Sequence, residues 1–164
     1  MTATGSLVEV HLLQLPVTLA VKAQQHFEEM MREFTLVATG AHSPHPDHHL
    51  PTRLMQLVDG LVERFANTTD DADRRLAAAI ERGDQTIDDH VIEIPAEAGP
   101  ASQALGDMID EADEYCRRGE HLLTLATPAD CVAYRRWYLA EIIEQIAGHA
   151  PKPWPDSEQA RALA

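Results

Sequence analysis

The segment from Ala101 to Ile146 constrains the fold most, because it reads as two long helices turned back on each other about one Thr127-Pro128 corner. Thr127 suits an N-cap, Pro128 suits the first helical position where a missing N–H is harmless, and Asp130 puts a carboxylate in the positive first turn. On the first helix, which runs to about Ala126, Leu105, Met108, Ile109, Ala112, Tyr115, Leu122 and Leu125 are expected to point inward. Gly119 interrupts that helix at a cost of about 1 kcal/mol relative to Ala, which suggests a close backbone approach there. The second helix, Pro128 to Ala147, is expected to bury Tyr134, either Trp137 or Tyr138, Ile142 and Ile146, and to stop at Gly148.

Upstream, Pro16 marks the start of a helix reaching Thr39. Its apolar residues Ala20, Ala23, Phe27, Met30, Phe34 and Val37 step by three and four, the seam of near-antiparallel helix packing. Gly40 to His49 is a loop. A long helix from Pro51 to Arg82 follows, with a bend allowed near Asn67–Asp70, and Gly83 stops it. Leu7 to Leu15 alternates weakly and reads as an extended arm, with a short edge strand as the lesser option. Asp84 to Gly99 carries Ile87, Val91, Ile92 and Ile94 and is extended, so it can pair with the arm as a two-stranded ribbon. The Pro-rich tail, residues 150–164, is not helical in its first half; Trp154 can pin it, and its last residues read as disordered. The expected fold is therefore all-α: an antiparallel four-helix bundle with an extended N-terminal arm, in a single domain over residues 1–164.

Composition narrows the function classes. A net charge of −14 argues against nucleic-acid backbones and anionic membranes as partners. No apolar run reaches the length of a membrane span and no secretory leader opens the chain, so a cytoplasmic location is expected. Cys116 and Cys131 would be offset by roughly 10 Å along the hairpin at ~1.5 Å rise per residue. A disulfide needs Cα atoms within about 7 Å, so both are expected to be reduced.

No catalytic motif stands out. His42, His45, His48 and His49, with Asp47, form a cluster able to take zinc or nickel, but on a Pro-stiffened loop without a visible anchor they are weak candidates. A di-iron centre needs Glu-x-x-His, and none of the nine histidines has a glutamate three residues before it. His26 lacks the neighbours of a phosphotransfer histidine. Nucleotide-binding and hydrolase signatures are missing from the sequence, and no cofactor is expected. The remaining constellation is polar and aromatic: Glu114 and Glu120 opposite Arg135, Arg136, Trp137 and Tyr138. Arg135 would reach either glutamate across the corner. This patch has the residue types that anchor protein partners, although surface ion pairs would produce the same pattern.

The order Leu12-Leu13-Gln14-Leu15-Pro16, Arg32-Glu33-Phe34, the run from Glu111 through Tyr115-Cys116-Arg117-Arg118 to Thr127-Pro128, Arg135-Arg136-Trp137-Tyr138-Leu139 and Pro153-Trp154-Pro155 resembles a group of small bacterial helical proteins. These are often encoded beside anti-sigma-factor kinases and STAS anti-anti-sigma proteins of partner-switching stress signalling. The resemblance spans nearly the whole chain, excludes the His-rich loop and carries no catalytic motif. It implies a non-enzymatic regulatory bundle that binds a protein partner, such as a sigma-factor regulatory component. Homodimerisation through an exposed helix face is a further expectation from the seam. The alternative is a small-molecule sensor or enzyme with a pocket in the core, lined by Tyr115, Cys116, His121 and Arg135. A solid core with an exposed aromatic patch favours the first reading, and a concave cavity beside the hairpin favours the second.

Overall fold

A computed structural model of the chain describes residues 5–39, 53, 56, 59–60, 70–117 and 127–164. In chain order they form β1 (Leu7–Pro16), α1 (Val17–Thr39), α2 (Asp70–Arg82), β2 (Thr86–Pro95), α3 (Ala98–Arg117) and α4 (Ala129–Ile146). A 3-10 turn (Trp154–Asp156) and a short α5 (Glu158–Arg161) follow. The all-α bundle is overturned, because β1 and β2 pair as a two-stranded antiparallel sheet on which the helices pack. Long β-branched and leucine-rich segments with an inward face need a partner layer, and here the ribbon is half of the principal core. Val10, Leu12, Leu15, Ile92 and Ile94 from the strands meet Val17, Ala20, Ala72, Ala79, Tyr134, Trp137 and Ile142 from the helices. A smaller cluster of Met30, Ile109 and Ala112 joins α1 to α3.

The weak alternation of β1 has a local cause. Val10 and Leu12 are buried with period two, but the next buried residues are Leu15 and Val17, one step out of phase. Between them Gln14 takes φ 52°, in the left-handed region. That single residue turns the strand so that both halves present leucine or valine to the same core. β2 follows, burying Ile94, Ile92 and His90 and then packing Ile87 against the same core. Pro16 ends the strand, and α1 begins at Val17, whose N–H donates to Gln85 O at 3.0 Å.

Two helices end as the glycines foretell. Gly83 (φ 75°) follows α2, with Gly83 N–H donating to Ile80 O and Asp84 N–H to Ala79 O. Gly148 (φ 93°) follows α4, with matching bonds to Gln145 O and Glu144 O. Both are Schellman closures, which place orphan carbonyls on the chain beyond the helix. Of the long helix expected from Pro51, the part beginning at Asp70 forms α2, with three aspartates in its first turn. Ile80, in the last turn of α2, is 47% exposed. Gly119, where a close backbone approach is expected, lies outside the described residues; at Gly106 of α3 a Cβ would lie 3.2 Å from Leu139 Cδ1 of α4.

The tail is pinned by Trp154 as expected, but its last residues are helical and not disordered. Trp154 stacks edge-on against Trp137, with centroids 5.5 Å apart, and Tyr134 lies 6.0 Å from it. The final residues are ordered by Ser157, whose hydroxyl accepts from Ala160 N–H as the N-cap of α5. Burying Ser157 at 1% exposure while satisfying its oxygen explains why so short a helix holds.

Candidate functional site

Helix α4 is central to the site because it touches α1, α3 and β1 at once. Its start differs from the sequence expectation. Pro128 occupies the cap position without a side-chain cap, and the Thr127 hydroxyl donates to the Asp113 carboxylate instead. Asp130 uses one oxygen to accept from Cys131 N–H and the other to meet Lys22 Nζ at 2.6 Å, tying α4 to α1. The Lys22 contact holds the Asp130 carboxyl below its ordinary range.

One turn on, Arg135 reaches α3, but to aspartates rather than the expected glutamates. Its Nη2 lies 2.6 Å from Asp110 and 2.8 Å from Asp113, and Arg136 joins at 3.3 Å from Asp110. Asp113 is 2% exposed, so this is an internal charge pair completed by the Thr127 hydroxyl. Arg135 Nε is buried and has no hydrogen-bond partner among the described residues.

Between α1, α2, β2 and α4 lies a partly open cavity of about 370 Å³. Its wall is mainly apolar: Ala20, Ala23, Phe27 and Met30 of α1, Leu76 of α2, Ile92 of β2 and Leu139 of α4. α3 contributes Leu105 and Ile109. The polar groups in the wall come from different elements: Gln24 and His26 of α1, Asp73 of α2, His90 of β2, Thr127, and Cys131, Tyr134, Arg135 and Tyr138 of α4. His90 is 5% exposed, and its Nδ1 has no partner among the described residues. Burial, reinforced by the charge of Arg75, pushes the His90 pKa down and keeps the ring neutral. Burial likewise pushes Tyr138 up to about 12, and raises Tyr134 and the Cys131 thiol. Tyr134, Tyr138 and Cys131 therefore stay protonated at neutral pH. Cys131 is a buried free thiol, as expected.

The residues nominated by sequence are distributed unevenly. Arg135 and Tyr138 do line the cavity. Trp137 does not offer itself to a partner: it is 1% exposed, and its Nε1–H donates to Lys152 O at 3.0 Å. Glu114 is exposed and pairs with Arg117 at 3.1 Å, while Arg136 is exposed beside Asp110. Glu120, His121 and the loop histidines His42, His45, His48 and His49 lie outside the described residues, as do the side chains of Tyr115 and Cys116. Among the described residues, no group of three or more His, Cys, Asp or Glu side chains is arranged to hold a metal ion.

His90 was missed by sequence reasoning because its segment read as a connection. Its phase was nonetheless visible, two residues before Ile92 and four before Ile94 on one face of a strand.

No protein-family model, curated protein or solved structure matches this chain. Among the described residues, no helix is long and apolar enough to cross a membrane.

Proposed function

We propose that this protein is a non-enzymatic module that binds a small, largely apolar molecule in the cavity between α1, α2, β2 and α4. The observation that carries the reading is the cavity itself: about 370 Å³ of space with a mainly apolar wall and, in residues that line it, two buried nitrogens without a partner among the described residues, His90 Nδ1 and Arg135 Nε. Ligand sites commonly have that composition, an apolar bowl with a few convergent polar atoms. The raised pKa values of Tyr134 and Cys131 argue against these two groups as nucleophiles and support the binding reading.

Prodan, an uncharged fluorophore that brightens and shifts to the blue in apolar surroundings, tests the proposal directly. Saturable binding of one molecule per chain, lost in Ala23→Phe while the circular dichroism spectrum and melting cooperativity persist, is the expected result. Prodan binding unchanged by Ala23→Phe would overturn it.

A second reading, a protein-binding regulator in cytoplasmic partner-switching signalling, draws on the resemblance and on one observation. Arg135 lines the cavity on one side and, on the other, a shallow groove shared with Arg136 and Asp110. The two readings are compatible, with occupancy as the input and the exposed Arg136, Glu114 and Arg117 rim as the output surface. An affinity pull-down in which charge reversal of Arg136 leaves the recovered partners unchanged would remove this surface from the account.

A further inference from the structure

We infer that the cavity selects an uncharged ligand and rejects both carboxylates and amines, with the Arg135–Asp110–Asp113 cluster as the filter; this rests on the small-molecule reading above. The lone guanidinium in the wall invites an anionic ligand at first sight, yet its charge is already matched. Asp110 and Asp113 both contact Nη2, at 2.6 and 2.8 Å, and Asp113 also accepts from Thr127. An entering carboxylate would therefore lose its hydration and find no unmatched positive charge in return.

A cation fares no better. Asp110 and Asp113 are already held by Arg135, and Arg136 shares Asp110, so a buried ammonium would lose its hydration and find no unmatched carboxylate in the cluster. An uncharged molecule avoids both penalties. Its hydroxyl or carbonyl is the kind of neutral partner that Arg135 Nε–H and the His90 ring, whose Nδ1 donates or accepts according to tautomer, lack among the described residues.

Three matched compounds, phenylbutanol, phenylbutyrate and phenylbutylamine, competing against prodan near neutral pH, test this. Phenylbutanol is expected to displace prodan at concentrations about tenfold or more below those of the two charged analogues. Asp110→Asn, on a partly exposed side chain, leaves Arg135 partly unmatched and should narrow the gap for phenylbutyrate alone. If phenylbutyrate or phenylbutylamine binds as tightly as phenylbutanol to the unaltered protein, the filter is wrong and the cavity reading survives. If none of the three displaces prodan and Ala23→Phe leaves prodan binding intact, the cavity reading falls and takes the filter with it.

Discussion

Gln145 and His11 exchange two hydrogen bonds across 134 residues of chain: His11 N–H donates to Gln145 Oε1 at 2.8 Å, and Gln145 Nε2 donates to His11 O at 2.9 Å. A side-chain amide from α4 thus pairs with the outer edge of β1 as a neighbouring strand would. On the same rung Val91, which is opposite His11, has its carbonyl capped by Arg75 of α2. A two-stranded ribbon is all edge, and an open edge is a site for unwanted pairing. Here both edges are closed by side chains at one level. Glu141, 6% exposed, holds Gln145 in place and accepts from Lys152 N–H, so the tail is part of the same network.

Gln145→Ala should therefore cost about 1–3 kcal/mol in urea unfolding, because two backbone groups lose their partner. The His11 amide should exchange with solvent faster in the variant. Gln145→Glu should be worse than Gln145→Ala, since it sets a second carboxylate against Glu141 and the His11 carbonyl. Equal stability of the two variants would contradict the assigned orientation of the amide.

The two aspartates that meet Arg135 should differ sharply in stability. Asp113 is internal, and removing one member of a buried pair leaves the other uncompensated, so Asp113→Ala should cost about 3 kcal/mol or more. The Asp110 side chain is 41% exposed, and Asp110→Ala should cost about 1 kcal/mol or less. Denaturant midpoints measured on the two single variants check the contrast.

His90 provides a pH signature. Its folded pKa lies below the unfolded value of 6.5, so between those two values the unfolded chain holds more protons than the native one. Stability therefore rises with pH through that window, is fully present above it, and is lost as pH falls below about 6.5. In His90→Phe that contribution should vanish, so the gap between the variant and the unaltered protein should shift in the variant's favour as pH falls. Parallel pH profiles would contradict a neutral, buried imidazole.

Gln14 tests the turn of phase in β1. A glycine there removes the strain of φ 52° but adds unfolded-state freedom, so Gln14→Gly should stay within about 1 kcal/mol of the unaltered protein. Gln14→Val should lose about 2 kcal/mol, because a β-branched side chain tolerates that backbone poorly. Thermal melts of both variants decide it.

Much of the local structure was legible in the sequence. Gly83 and Gly148 end their helices by the expected geometry, and the Ile87–Ile94 segment reads as extended. The fold class was not legible. The pairing of the arm with the Asp84–Gly99 segment was legible, but the left-handed turn at Gln14 weakens the alternation of Leu7–Pro16, so the ribbon reads as an accessory to a helical bundle and not as a layer of the core. Arg135 was legible as a functional residue by its type. Its true partners, Asp110 and Asp113, were not, since the pairing depends on where α3 and α4 cross, which Gly106 sets through its contact distance to Leu139. Trp137 shows the converse: an interface-forming residue type that the tail has covered.

The most direct test of the account is methyl NMR of the isotope-labelled protein titrated with phenylbutanol. The account predicts saturable shifts confined to the leucine and isoleucine methyls of the wall, Leu15, Leu76, Ile92, Leu105, Ile109 and Leu139. Shifts scattered over the surface, or none at those six residues, would contradict it.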